Sequence, residues 1–289
     1  MVWRWRFMES DTLKTDKSDD SEAFNPDVFS VALKKCIFGK NVIFRETIGS
    51  TNVFLKALAQ QGLPEGTVVI TDEQSAGLGR LGRQWFSKKG ENLLFSLLLR
   101  PRMPPNRLFV LTMILALAGI DAVLQMSGLS AKIKWPNDIY IGEKKLGGIL
   151  TEFAVKQGVV EYVVLGMGLN VNWSPPPEHQ LLYPTSSIFA EIHKKVSRER
   201  LLGNLLKRFE AFYLEALDET NPGEGFYKRW NEKSAILGKS VVIETGKERV
   251  VGVATGIDQD GALSLITAEG HERKFVCGDV SVQLDVSEP

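Results

Sequence analysis

The chain has 289 residues, which is enough for two domains and a substantial hydrophobic core. Basic and acidic residues balance at 35 each and 44% of the residues are hydrophobic, so the composition gives no sign of a nucleic-acid-binding surface. Cys36 and Cys277 lie far apart and the 3 histidines are scattered, which argues against a zinc site or a disulfide framework. This pattern predicts two buried thiols in a reduced, cytoplasmic protein.

The first 25 residues begin with two tryptophans and then become polar and acidic. They lack the apolar core and the small-residue cleavage site of a secretory signal. We therefore expect a disordered lead-in over residues 1–25, a first domain over residues 26–234 and a second over residues 235–289.

Apolar residues at helical spacing, with capping and stop residues at their ends, predict four helices. They are expected over residues 25–35, 50–62, 107–127 and 197–218. The third contains the most apolar stretch of the chain, residues 108–124. This stretch of about 17 residues is short for a membrane span and contains Asp121, so we predict a buried helix and no membrane partner.

Runs of β-branched and apolar residues predict strands over residues 41–44, 67–71 and 93–99, and residues 131–172 have the pattern of an antiparallel meander. From residue 235 onward, short alternating strands are separated by turns that contain glycine, which predicts a small barrel. Its strands are expected over residues 239–244, 248–256, 261–267, 272–276 and 279–284.

Three short segments carry residues suited to chemistry. The first is Ser50-Thr51-Asn52, at the predicted start of the second helix. Free backbone N–H groups and hydroxyls at a helix start bind polar or anionic groups, although the same residues also serve as a plain N-cap.

The second segment is a glycine loop in which Gly77, Gly79 and Gly82 have the G-x-G-x-x-G spacing of a dinucleotide-binding turn. That interpretation requires a strand directly before the loop and a helix directly after it, and the sequence predicts neither. The alternative is a flexible loop whose arginines, Arg80 and Arg83, donate to phosphate or carboxylate, followed by a tryptophan that can stack on a purine. A third interpretation also remains open, in which this segment is a surface loop whose charges have no function.

The third segment is KWPND, residues 134–138, which is followed by Lys144 and Lys145 in the next hairpin. Lysine, amide and carboxylate groups together can neutralise phosphate, hold Mg²⁺ and orient a nucleophile. The alternative is that Pro-Asn-Asp is simply a favourable turn sequence.

Taken together, the segments resemble those of biotin protein ligases. The motifs are GSTN at 49–52, Gln74 with AGLGRLGRQWFS at 76–87, KWPNDIYIGEKKLGGIL at 134–150 and GMGLNVN at 166–172. They occur in the order and spacing of that family, and the segment that begins LGKSVVIE at residue 237 resembles the family's terminal barrel. The resemblance covers about residues 40–285.

The resemblance implies an α+β protein with two parts. The first is a mixed β-sheet with flanking helices, like the catalytic domain of class II aminoacyl-tRNA synthetases, and the second is a C-terminal SH3-like β-barrel. It also implies a two-step reaction. Biotin and MgATP give biotinyl-5′-AMP and pyrophosphate, and a lysine of a biotin carboxyl carrier protein, such as that of acetyl-CoA carboxylase, then receives the biotinyl group.

The same resemblance assigns the site residues. It implies that biotin contacts Ser50, Thr51, Asn52, Gln74, Leu78, Gly79, Arg80, Lys145, Gly147 and Gly148. It implies that ATP and the adenylate contact Arg83, Trp85, Lys134, Asn137 and Asn170. It implies catalytic roles for Arg80, Lys145 and Asp138, with Asp138 also a candidate Mg²⁺ ligand. The family's loop usually has an arginine where this chain has Leu78, so we expect the adenylate to be held less firmly.

Three other functions remain open at this point. A lipoate-protein ligase shares the architecture and the adenylate chemistry, and a binding module without catalysis would need only the C-terminal barrel. A transcriptional repressor needs about 60 residues of helix-turn-helix domain, whereas about 40 largely polar and acidic residues precede the first motif. We therefore expect no DNA binding, while a homodimer is possible.

Overall fold

The computed structural model describes residues 23–33, 36–179, 181–217, 224–246 and 248–282. The predicted disordered lead-in falls largely on residues 1–22, which lie outside the described residues. The prediction of disorder is wrong for the end of this segment. Phe24 is buried, and its backbone N–H donates to both carboxylate oxygens of Asp72 at 3.3 Å. The Phe24 ring also packs against Phe29 and Phe44, so this residue belongs to the core.

A seven-stranded mixed sheet forms the first domain. Its strands are β1 (Asn41–Ile48), β2 (Thr67–Gln74), β3 (Leu93–Leu99), β4 (Lys132–Lys134), β5 (Asp138–Ile141), β6 (Lys144–Lys156) and β7 (Val159–Leu169). Their order across the sheet is β1-β2-β3-β7-β6-β5-β4. The β1–β2 pair is parallel and the other pairs are antiparallel, so the mixed sheet and the predicted meander, β4 to β7, are confirmed.

The described residues also form six α-helices. They are α1 (Pro26–Ala32), α2 (Thr51–Gln60), α3 (Phe109–Ser127), α4 (Ile188–Ile192), α5 (Arg198–Leu217) and α6 (Glu224–Glu232). By length and composition the helical stretch Pro105–Ser127 could cross a membrane, but 78% of its most apolar window is buried inside the fold. Because α3 packs between the sheet and α5, the predicted buried helix is confirmed.

The second domain is a five-stranded antiparallel sheet. Its strands are β8 (Ser240–Glu244), β9 (Arg249–Ile257), β10 (Leu263–Ile266), β11 (Glu272–Phe275) and β12 (Asp279–Val282). The order is β11-β10-β9-β8-β12, which fits the SH3-like fold expected from the sequence. Alternating burial along β9 shows that one face of this sheet is buried, and its core residues belong to the same hydrophobic cluster as the core of the first domain.

A turn of the second domain packs directly against the first. The indole Nε1 of Trp135, which is 1% exposed, donates to the backbone oxygen of Gly261 at 2.9 Å. Gly261 has a φ of +81°, and a Cβ at this position would lie 1.8 Å from Cδ1 of Phe109. A side chain at residue 261 is therefore incompatible with this packing, which fixes the second domain beside the KWPND turn.

The two cysteines differ, and the prediction of two buried thiols is wrong for one of them. Cys36 is buried, its thiol donates to Oε2 of Glu210 at 2.7 Å, and burial raises its pKa to about 12. Cys277 is exposed. It lies in the turn between β11 and β12 beside Val276, which is also exposed, so this turn carries its side chains outward.

Candidate active site

One cavity of about 390 Å³ lies where β2, β4 and β7 end and where β5 and β6 begin. Both domains line it, since Asp279 and Val280 of β12 form part of its wall. Every predicted site residue but one lines this cavity: Ser50, Thr51, Asn52, Gln74, Leu78, Gly79, Arg80, Arg83, Trp85, Lys134, Asn137, Asp138, Lys145, Gly148 and Asn170. The three segments, which are far apart in the chain, therefore meet at one place.

The exception is Gly147, whose Cα hydrogen in the side-chain position faces away from the cavity. A Cβ there would lie 2.7 Å from Cδ1 of Leu169, on the opposite face of the sheet. A Cβ at Gly148 would instead lie 3.2 Å from Oδ1 of Asp138 and 3.4 Å from Nζ of Lys145. Neighbouring residues of a strand face opposite sides, so only the second glycine of this pair borders the charged groups.

The start of α2 faces the cavity through Thr51. Ser50 occupies the N-cap position, and among the described residues the cap is supplied by the side chain of Gln74. Its Oε1 accepts from the Thr51 backbone N–H at 2.8 Å and from the Thr51 hydroxyl at 3.1 Å. The end of β2 thus caps a helix whose first N–H groups would otherwise lack a partner.

Asn52 is buried in the wall with its amide fully engaged. Its Nδ2 donates to the backbone oxygen of Leu150 at 3.1 Å and to Oε2 of Glu152 at 2.9 Å, while its Oδ1 accepts from Oγ of Ser96 at 2.6 Å. A Cβ at Gly166 would lie 2.0 Å from the same Oδ1. Asn52 is therefore held in one orientation, and glycine at residue 166 leaves room for it.

The glycine loop is a compact hairpin. The Gly79 N–H donates to the backbone oxygen of Arg83 at 2.7 Å, and the Trp85 N–H donates to that of Gly77 at 2.9 Å. A 3-10 turn of three residues forms the tip, where Leu81 has a φ of +56°. Every residue between the tip and β3 is described, and none is in an α-helix, so a dinucleotide-binding turn is excluded.

Two cation–acceptor contacts lie at the centre of the cavity. Nζ of Lys145 lies 2.7 Å from Oδ1 of Asp138, and Nη1 of Arg80 donates to Oδ1 of Asn137 at 3.1 Å. The side chains of the first pair are 23% and 18% exposed, so water screens this pair only partly. The arrangement provides two positive groups for an anion that enters the cavity.

A second set of contacts joins the glycine loop to the C-terminal domain. The guanidinium of Arg83 pairs with the carboxylate of Asp279 through both of its terminal nitrogens. Nη2 of Arg80 donates to the backbone oxygen of Gly278 at 3.4 Å. Both arginines of the loop are thus held by two consecutive residues, Gly278 just before β12 and Asp279 at its start.

Lys134 lies between two aromatic rings. Its Nζ is 4.3 Å from the centre of the Tyr183 ring and 4.9 Å from that of the Tyr140 ring. Burial lowers the pKa of Lys134, while the charge of Asp138 acts in the opposite direction. The rings stabilise a desolvated ammonium by cation–π attraction, and this ammonium faces the cavity.

Trp85 and Asn170 form another wall. A Cβ at Gly168 would lie 2.5 Å from the Trp85 ring, so the indole packs flush on β7, and its Nε1 has no hydrogen-bond partner among the described residues. Nδ2 of Asn170 donates to the backbone oxygen of Ser186 at 3.0 Å, and its Oδ1 accepts from Asn92 at 3.4 Å. Asn170 therefore fixes the segment before α4 against the sheet.

One side of the cavity carries no signal in the sequence. The lining residues that lie outside the predicted motifs are Pro175, His179, Leu181, Leu182, Tyr183, Thr185, Asp279 and Val280. Most belong to the irregular segment before α4, where periodicity carries no information. The aromatic contact of Phe86 with His179, 4.6 Å between ring centres, joins that segment to the glycine loop.

Comparison with known proteins adds independent support. The model of the biotin/lipoate A/B protein ligase family matches residues 44–170, and that of the biotin protein ligase C terminal domain matches residues 236–283. A solved biotin protein ligase from Aquifex aeolicus in complex with biotin and ATP has a TM-score of 0.71 and 28% identity. The match covers 84% of this chain and 99% of that one.

Two curated relatives match most of the chain. The bifunctional ligase/repressor BirA of Bacillus subtilis is 34% identical over 244 residues, which cover 84% of this chain and 74% of the relative. A biotin--[acetyl-CoA-carboxylase] ligase of Paracoccus denitrificans is 32% identical, with 77% of this chain and 93% of the relative covered. On the strength of the shared fold and these matches, the chain belongs to the biotin protein ligase family.

Proposed function

We propose that the cavity joins biotin to ATP and then transfers the biotinyl group to a lysine of a biotin carboxyl carrier protein. The observation that carries this proposal is the position of Lys145. Its ammonium lies beside the carboxylate of Asp138 and the Gly148 backbone, 6.0 Å from the centre of the Trp85 ring. This is a polar junction between the wall built by α2 and the wall built by Trp85.

Biotin fits the wall that begins at α2. The polar groups of Thr51 and Gln74 are already oriented there by their mutual hydrogen bonds, and Asn52 is fixed in the wall beside them, so a ureido ring would meet a preformed polar surface. The carboxylate end would then reach Lys145 and Arg80. The adenosine would lie on the side of Trp85 and Asn170, since an indole face stacks on a purine.

The first step joins two anions, so it needs positive charge at the α-phosphorus. The biotin carboxylate oxygen attacks this phosphorus, the bond to the β-phosphate oxygen breaks, and pyrophosphate leaves. Lys145 and Arg80 would neutralise the charge that develops, and Arg83 and Lys134 would bind the leaving phosphates. Holding the two reactants side by side also removes the entropic cost of an encounter.

The second step needs an uncharged amine. An acceptor lysine with a pKa of about 10.4 is almost entirely protonated at neutral pH. Asp138 would orient the entering ammonium and accept its proton. The free amine then attacks the mixed-anhydride carbonyl, an amide bond forms, and AMP leaves.

Mg²⁺ fits this site only together with the nucleotide. No cluster of three or more His, Cys, Asp or Glu side chains suitable for a metal occurs in the described part of the chain. Asp138 and Asn137 provide oxygen atoms at the cavity wall, which is typical of a Mg²⁺ ion that keeps water and phosphate ligands. Bound there, the ion would neutralise the triphosphate, with Asp138 as its carboxylate ligand.

The proposal is tested with purified protein in two stages. Pyrophosphate release is first measured with MgATP and either biotin or lipoate. A biotin carboxyl carrier domain of acetyl-CoA carboxylase is then added, and biotinyl-lysine is detected by mass spectrometry. We expect release with biotin only, followed by transfer. Release with lipoate only would assign a lipoate ligase, and no release with either acid would favour a binding module.

The remaining expectations concern partners. We propose that the protein acts without binding DNA, although relatives such as BirA of Bacillus subtilis are described as repressors as well as ligases. A salt-dependent shift of an operator fragment at nanomolar protein would contradict this proposal. The sequence leaves both a monomer and a homodimer open, and sedimentation with and without biotin and ATP distinguishes them.

A further inference from the structure

The C-terminal domain enters the cavity at the first residues of β12. The carboxylate of Asp279 accepts from both terminal nitrogens of Arg83, with 3.4 Å between Nη1 and Oδ1. Next to it, the backbone oxygen of Gly278 accepts from Arg80 at 3.4 Å. Fork-shaped pairing of this kind fixes orientation as well as distance.

These contacts hold the whole glycine loop and not merely two side chains. The backbone oxygen of Arg83 accepts from Gly79, and its N–H donates to the oxygen of Arg80 at 3.2 Å. The tip of the loop is otherwise lightly packed, since Leu81 is 76% exposed. A restraint on Arg83 therefore restrains the hairpin on both sides of its tip.

The other half of the contact is rigid. Asp279 pairs with Glu244 of β8 in the antiparallel ladder, which sets the direction of its side chain. A Cβ at Gly278 would lie 3.0 Å from Cγ2 of Ile243 and 3.2 Å from the backbone oxygen of Glu244, so this backbone lies tightly against β8. The start of β12 is thus a fixed anchor for the tip of the loop, which acts together with the hydrogen bond from Arg80 to Asn137.

We propose that Asp279 is a positioning residue that keeps the glycine loop closed over the cavity and slows the escape of the acyl-adenylate. This inference rests on the proposed function, because it concerns retention of that intermediate. The paired guanidinium still has its Nε–H and further N–H groups for phosphate, so Arg83 can bind ligand without releasing Asp279. Closure of the loop would then depend on the presence of the second domain.

The test compares Asp279→Asn with the control Glu248→Gln. Glu248 forms an ion pair with Arg273 at 2.8 Å on the same domain, away from the cavity. Biotinyl-5′-AMP is formed on each protein, and its release is followed after a chase with unlabelled intermediate. An exposed ion pair contributes up to about 1 kcal/mol, so we expect roughly fivefold faster release for Asp279→Asn. The control should match the unmodified protein, and Asp279→Glu should restore slow release.

A second measurement needs no substrate. Trypsin cleaves after arginine, so we expect the loop of Asp279→Asn to be cut faster at Arg80 and Arg83 than that of the control. Equal release and equal cleavage in all variants would overturn the role of Asp279. A lower KM for ATP with unchanged release would also overturn it, because Asp279 would then compete with phosphate. Failure of the unmodified protein to form adenylate would overturn the proposed function, while the cleavage assay would still test the contact.

Discussion

Nζ of Lys145 lies 2.7 Å from Oδ1 of Asp138, and each is the other's charged partner in the cavity. Asp138 is the first residue of β5 and Lys145 is the second residue of β6, and these two strands pair in the sheet. A carboxylate that enters the cavity would share the lysine with Asp138, and an ammonium that enters would share the carboxylate with Lys145. In the proposed first half-reaction the lysine of this ion pair would contact the anionic reactant, and in the second the aspartate would contact the cationic one.

Removing the lysine should impair the first half-reaction. Lys145→Ala removes a donor at the point where charge develops, and loss of such a donor costs about 100- to 1,000-fold in rate. The measurement is biotin-dependent exchange of pyrophosphate into ATP. Lys144→Ala is the matched control, because the adjacent Lys144 pairs with Glu191 at 3.4 Å outside the cavity. Normal exchange in Lys145→Ala would refute the assignment.

Neutralising the carboxylate should act on the second half-reaction. Asp138→Asn keeps the shape of the side chain but cannot accept the proton of the acceptor lysine. General-base catalysis contributes about 100-fold or more, so we expect transfer from preformed adenylate to slow by that amount. Single-turnover transfer to a carrier domain measures it. If transfer is untouched, the proton acceptor lies elsewhere.

The charge of Lys134 should make ATP binding sensitive to alkaline pH. Burial lowers its pKa from the ordinary value of 10.5, so the ammonium loses its proton at a lower pH than an exposed lysine does. A phosphate-binding cation is lost in that step, and we expect KM for ATP to rise as the pH rises through the lowered pKa. Lys134→Arg should flatten the rise because arginine stays protonated. Lys132→Arg, at an exposed position of β4, should leave the profile unchanged.

The close packing of Trp85 on β7 allows a steric test. In Gly168→Ala the new methyl group would lie 2.5 Å from the indole, so the ring must move. Stacking of a base on an aromatic ring contributes about 1–3 kcal/mol, so we expect KM for ATP to rise roughly tenfold or more. Gly256→Ala, where no atom lies within 4 Å of the added Cβ, is the control. An unchanged KM would place the adenine away from Trp85.

Leu78 of the glycine loop should influence how long the intermediate stays bound. Its side chain is 43% exposed at the cavity rim, where the family's loop usually has an arginine. Leu78→Arg adds a cation near the adenylate phosphate, so we expect slower release of biotinyl-5′-AMP, by about fivefold or less for an exposed charge. Equal release rates would mean that the backbone alone makes the contact at this position.

The sequence predicted much of the fold because its signals are local. Residues close together in the chain predict three of its features: the N-cap region at Ser50, the buried helix around Asp121 and the strands of the C-terminal sheet. The contact of Asp279 with Arg83 joins residues 196 positions apart, and Tyr183 lies in a segment without periodicity, so no local pattern indicates either. The cavity was predicted from motifs on one side, whereas its other side comes from the irregular segment before α4 and from the packing of β12 against the first domain.

The hydrogen bond from Trp135 to Gly261 links the KWPND turn to a turn that a domain boundary at residue 235 would remove. Cutting the chain there would leave a buried indole N–H without its acceptor and would expose the Phe109 face that Gly261 covers. In engineering terms, the two domains are not interchangeable modules. A fusion or split design would have to place the Gly261 turn against Trp135 again, so that the hydrogen bond to the KWPND turn can form.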